Sequence, residues 1–134
     1  MQTTELPSLK PCSTPQATLD EHIDALNKGD WARAMAQYPP NVEFFMAGGQ
    51  VIQGREQIGE LFRGFLKPRK EGGFGGIQFE ILHSFTVGET INARWQVTAD
   101  FLAEPYVGSE AYAIKDGLIW AQVSTLRIED MKFK

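Results

Sequence analysis

At 134 residues the chain can build one hydrophobic core and not two. Thirteen basic against seventeen acidic side chains leave a net charge of −4, which repels a phosphate backbone and argues against a nucleic-acid partner. No apolar run approaches the roughly 18 residues needed to span a bilayer, so no membrane partner is expected either.

The first stretch, MQTTELPSLKPCSTPQ, has no basic segment followed by an apolar one, so no secretion signal is expected. Cys12, the single cysteine, cannot close an internal disulfide, and a cytoplasmic address follows as the expectation. With only Lys10 as an electropositive neighbour, Cys12 reads as an incidental thiol. Residues 1–13 are expected to form a flexible arm and residues 14–134 a single domain. Thr14-Pro15 marks a helix start, and Leu19, Ile23 and Leu26 follow at helical spacing. Gly29 stops that helix and Asp30 can cap a second, whose buried stripe is Trp31, Met35 and Tyr38. Pro39-Pro40 ends it.

A short strand pair with a Gly-Gly turn comes next, in PNVEFFMAGGQVIQ, then a third helix with Ile58, Leu61, Phe62 and Phe65 on its apolar face. KPRKEGGFGG reads as a basic, flexible loop in which Lys67, Arg69 and Lys70 are solvated. It lacks the Lys-Ser/Thr of a phosphate loop and leads into no helix, so a nucleotide site is rejected. Strands are expected at 77–87, 90–101, 108–114 and 118–128, the last two joined by Asp116-Gly117, a strong hairpin signal. Helices followed by an antiparallel meander predict an α+β fold, a curved sheet wrapped around the N-terminal helices as a cone.

Three segments then carry a likeness: HIDALNKGDWARAMAQYPPNVEFF, QGREQIGELF and AYAIKDGLIW. Over roughly residues 15 to 128 the chain resembles the nuclear-transport-factor-2-like (cystatin-like) superfamily. Within it, the chain is similar to the SnoaL-like, polyketide-cyclase-like and ketosteroid-isomerase-like proteins. The resemblance implies the cone fold with a mixed sheet, a small-molecule pocket, a homodimer and no cofactor. In steroid isomerases of this fold a tyrosine on the first helix donates to the enolate oxygen, and that position is His22 here. Their general-base aspartate falls on Phe45 or Met46. Their protonated second acid falls on Glu110, or on Ser109 in an alternative alignment. Limonene-epoxide-hydrolase relatives carry an Arg-x-Asp pair where this chain has Arg94-x-Gln96, a last-strand aspartate where it has Ser124, and a Tyr-x-Asn pair where it has Phe44-x-Met46. Of that second set only Arg94 is kept. Proton abstraction needs a base within hydrogen-bond reach, and neither Phe45 nor Met46 supplies one.

The residues themselves leave alternatives open. His22 shares the helix stripe of Leu19, Ile23 and Leu26, as an acid–base group or as a core histidine. Glu110, on one strand face with Tyr112 and Ile114, is a desolvated acid, a rim glutamate or a partner of Arg94. Arg94 and Gln96, with Asn92, Thr98 and Asp100, line a solvated sheet surface or, if Trp95, Val97 and Phe101 form the dimer face on the open side of the sheet, point beneath the helices, and the second is the expectation adopted. Met46, Phe45, Phe62, Tyr112, Trp120, Ser124 and Gln96 are the expected ligand contacts, lining an apolar pocket for a small organic molecule. His83 belongs to no metal-ligand spacing, and no metal is expected. The expected catalytic set is His22, Arg94 and Glu110. The function is then small-molecule binding, extending to cofactor-free isomerisation, cyclisation or hydration by proton transfer. The alternative is a non-catalytic binding or dimerisation module of the same fold.

Overall fold

The computed structural model describes residues 5–134. The expected helix starts are where the sequence places them. Thr14 accepts a hydrogen bond from the Ala17 amide and Pro15 sits in the first turn of α1 (Pro15–Asn27). Asp30 accepts from the Arg33 amide to cap α2 (Trp31–Met35). The Arg33 guanidinium then reaches back to Glu21 and Asp24, at 2.7 and 2.8 Å, and ties the two helices together. The third helix, α3 (Arg55–Phe65), turns Ile58 and Phe62 into the core.

Six strands make one sheet: β1 (Glu43–Phe45), β2 (Val51–Gln53), β3 (Gln78–Val87), β4 (Thr90–Thr98), β5 (Tyr106–Lys115) and β6 (Leu118–Ser124), in the order β2-β1-β6-β5-β4-β3. Every pairing is antiparallel except that of β1 with β6, which is parallel. The sheet is therefore mixed. β4 and β6 stop earlier than the hydrophobic pattern suggests, at Thr98 and Ser124, and β5 starts earlier, at Tyr106. Asp116 and Gly117 turn the β5–β6 hairpin with φ of 53° and 76°, the left-handed pair that such a two-residue loop requires. A bulge between Ile81 and His83 breaks the β3–β4 register, and bulges of this kind bend a sheet. The helices lie on one face, with α1 against β3, β5 and β6. The result is the α+β cone.

Which face the helices cover is the reverse of the expectation. Ile91, Ala93, Trp95 and Val97 of β4 are buried beneath the helices, Trp95 and Val97 with 0% exposure. Arg94 is exposed on the opposite face and Gln96 shares its strand parity, half-buried with its amide 3.4 Å from Glu80. Two-residue periodicity separates a strand into two faces without saying which one is roofed. The energetics decide it. A buried guanidinium with no anion beside it is costly, whereas burying an indole contributes about 1.5–3 kcal/mol or more. Phe101 lies beyond the end of β4, stacked on Phe133, and is not on the open sheet face.

That open face nonetheless carries several exposed apolar side chains. One cross-strand row follows the register through Val51, Phe45, Val123, Ala111, Asn92 and Phe85. Phe85, Val87, Val107 and Val123 are 42–64% exposed.

Two segments expected to be loose are held. Of the expected arm, residues 1–4 lie outside the described residues. In the remainder, the Lys10 amide donates to Ala36 O, the Cys12 amide donates to Gly117 O, and Arg55 donates to Pro7 O. Arg69, expected in solvent, packs its guanidinium over Phe133 at 4.7 Å and over Phe74 at 5.2 Å.

Candidate functional site

Between α3 and the roofed sheet face lies a cavity of about 100 Å³. Leu26 of α1 and Leu61, Phe62 and Phe65 of α3 form one side. Phe44 and Met46, in and just after β1, and Phe79 of β3 form another. Leu126 and Ile128, just after β6, stand at its edge, Ile128 with 45% exposure. Among the described residues only Glu110, Gln122 and Ser124 bring polar side chains to this wall.

The sheet register explains how those three meet. Ser124 is the direct cross-strand partner of Glu110, and Gln122 is the partner of Tyr112. Glu110 and Tyr112 lie two residues apart and therefore share a face. The Tyr112 hydroxyl donates to Glu110 Oε1 at 3.1 Å, and Gln122 Nε2 donates to Oε2 at 2.5 Å. The other end of the Gln122 amide accepts from the Tyr38 hydroxyl at 2.6 Å, and Tyr38 lies 3.3 Å from His22 Nε2. On the β4 side Glu110 is paired with Ala93, and Trp95 with Gly108. These two small residues leave room for the indole. Trp95 Nε1 is buried with no hydrogen-bond partner, and the indole is among the groups that favour the charged form of Glu110.

Burial dominates the electrostatics. It pushes the Glu110 carboxyl up to about 7, although Gln122, Tyr112, Trp95 and Ser124 all pull it down. It pushes the His22 imidazole down to about 4, against weaker support from Gln37 and Glu21. Burial, and then the charge of Glu110, raise the Tyr38 and Tyr112 phenols well above their ordinary value. At neutral pH His22, Tyr38 and Tyr112 are uncharged. Glu110 alone in this group titrates there.

Of the expected site residues, the structure brings Glu110, Met46, Phe62 and Ser124 to the cavity wall, with Tyr112 directly behind Glu110. His22 is fully buried but belongs to the layer behind, edge-on to Tyr38, Phe62 and Tyr112. Four expectations are corrected. Arg94 faces a shallow depression on the open side of the sheet, shared with His83 and Asn92. Gln96 is on that side too. Phe45 points outward opposite Val123, because its neighbour Phe44 takes the inward position. Trp120 sits near the β5–β6 hairpin, its indole N–H given to Lys115 O, and does not reach the cavity.

Two functional side chains escaped the sequence reading, Gln122 and Tyr38. Gln122 carried a signal, since it precedes Ser124 by two residues and so shares its strand face. Tyr38 read only as part of a helix stripe, and α2 in fact ends at Met35. A wider groove beside Trp31 is less suited to a ligand. The Arg63 guanidinium already covers its indole at 3.9 Å. Among the described residues no cluster of His, Cys, Asp and Glu is arranged to hold a metal, and no helix is long and apolar enough to cross a membrane.

The fold and the cavity together define a cone-shaped α+β domain of the nuclear-transport-factor-2-like type. The chain belongs to the SnoaL-like domain family, whose model matches residues 19–132. Solved structures agree on the fold. An uncharacterized cystatin-fold protein from Novosphingobium aromaticivorans shares 17% identity, covering 87% of this chain and 100% of its own, with a TM-score of 0.72. An NTF2-like protein of unknown function from Cytophaga hutchinsonii shares 15%, covering 94% and 95%, with a TM-score of 0.66. A computationally designed 17-OHP binder shares 14%, covering 92% and 98%, with a TM-score of 0.72. No curated protein matches the chain.

Proposed function

We propose that the chain binds a small organic molecule in the cavity beneath α3, its apolar body against Phe44, Phe62, Phe65 and Phe79 and one polar atom against Glu110. The observation that carries this reading is the placement of Glu110, among the described residues the one group titrating near neutrality in a mostly apolar wall. At about 100 Å³ the cavity is smaller than the roughly 150 Å³ that holds a benzene ring, which supports a ligand whose buried part is more compact than a six-membered ring. That the same fold serves as a designed 17-OHP binder supports a binding role. In its catalytic form the reaction is a cofactor-free isomerisation, cyclisation or hydration in which Glu110 gives or takes the proton. Arg94 has no part in it, and His22 supports the wall through Tyr38.

The test is turnover across a panel of small cyclic ketones, enols and epoxides, followed by NMR. A rate that follows one ionisation near pH 7 and disappears in Glu110→Gln supports the enzyme. One observation favours the second reading, a non-catalytic binding module: a single ionisable group reaches the cavity, so no second acid or base is at hand. Saturable binding with no chemistry at any pH would select it.

The proposal extends to a cytoplasmic homodimer with no nucleic-acid or membrane partner. Its contact is the open sheet face, now through Phe45, Val51, Phe85 and Val123 in place of Trp95 and Val97.

A further inference from the structure

The geometry points to a small organic cation as the ligand of the Glu110 cavity, an ammonium head on a compact apolar body. This rests on the pocket reading above and names its ligand class. Both carboxylate oxygens of Glu110 are supplied with donors: Tyr112 gives its hydroxyl proton to one and Gln122 an amide proton to the other. The Trp95 N–H, buried without a partner, lies on the same side. Gln122 turns its carbonyl away, toward the Tyr38 hydroxyl, so it is not placed to accept a proton from Glu110. These hydrogen bonds favour the anion, against the burial that disfavours it. Yet among the described residues no Lys, Arg or charged His lines the cavity to balance it. A half-buried carboxylate facing an apolar cavity without a counter-ion is costly, and a ligand cation would complete the pair. Phe44, Phe62, Phe65 and Phe79 line the same space, and aromatic faces attract a cation that has left water.

The groups facing Glu110 from the surrounding elements leave the pH dependence to it alone. Trp95 on β4 and Ser124 and Gln122 on β6 do not titrate in this range. Tyr112 on β5 and Tyr38 after α2 are pushed upward, and His22 on α1 is pushed down to about 4. A cation binds the ionised carboxyl, so its affinity rises with pH. With a group at about 7 it rises about tenfold from pH 6 to pH 8. A neutral carbonyl ligand, held by protonated Glu110, shows the opposite slope.

The experiment compares isopropylammonium with acetone, close in size and shape and small enough for the cavity, by NMR titration and calorimetry at pH 6, 7 and 8. The expected result is that the cation binds more tightly than the ketone at pH 8 and weakens about tenfold by pH 6. It should lose at least about tenfold in Glu110→Gln, folding being checked by circular dichroism. A second variant, Phe79→Leu, leaves the carboxylate untouched and should weaken the cation more than the ketone. Binding of the ketone in preference, tightening as pH falls, overturns the cation and leaves the pocket standing. Absence of binding by either probe at every pH overturns both.

Discussion

At the scale of single residues the roofed and open faces of one sheet set opposite rules. Gln122 spans Tyr38 and Glu110, so Gln122→Leu takes a hydrogen-bond partner from each of two polar groups at the cavity wall. The expected loss is about 1–3 kcal/mol for each in urea denaturation. Gln96→Leu, on the open face, should change stability by no more than about 0.5 kcal/mol. Glu110 adds a pH signature. Its carboxyl is raised in the folded protein, so the fold holds a proton that the unfolded chain has released. Its contribution is favourable at acid pH and is lost as pH rises through about 7. His22 acts with the other sign: its pKa is lowered, so its contribution returns as pH rises from about 4. The Glu110→Gln variant should therefore gain in melting temperature over the wild type between pH 5 and pH 8, as differential scanning calorimetry would record. Glu110 was legible in the sequence because a carboxylate on the strand face of Tyr112 and Ile114 is conspicuous. Arg94 misled because alternation labels two faces and leaves open which one the helices choose. Only the relative cost of burying guanidinium and indole breaks that tie.

At the scale of elements, helix starts were readable because caps act locally. Thr14, Pro15 and Asp30 each satisfy or excuse a free amide within one turn. Strand ends were less readable. β4 and β6 stop where pairing stops, and pairing is set by neighbours distant in sequence. The β4–β5 contact supplies a sharp test. Gly108 lies opposite Trp95, and a Cβ there would come 2.5 Å from the indole. Gly108→Ala must displace the largest buried side chain of the core, at a cost of about 1–3 kcal/mol. Near-ultraviolet circular dichroism should show the altered Trp95 environment, and denaturant titration the loss. The N-terminal segment taught the same lesson. Pro- and Ser-rich composition suggested looseness, while backbone bonds from Lys10 and Cys12 fasten it to Ala36 and Gly117. Nothing in its local sequence announces partners so far away.

At the scale of the molecule, the cone was legible from the order of its elements, and the identity of its uncovered side was not. The row through Val51, Phe45, Val123 and Phe85 makes self-association testable. The proposed dimer predicts that Val123→Glu, which places a charge in mid-row, sediments as a monomer; a wild type that already sediments as a monomer would overturn it. One further property comes from the parallel seam between β1 and β6, which joins Glu43 to Ala121. During biosynthesis β1 emerges long before β6, and this seam cannot close until β6 has followed it out of the ribosome. Phe44 and Met46 on one side and Gln122 on the other therefore come together late. A nascent segment that lacks β6 would leave the cavity wall incomplete and expose its apolar interior to chaperones.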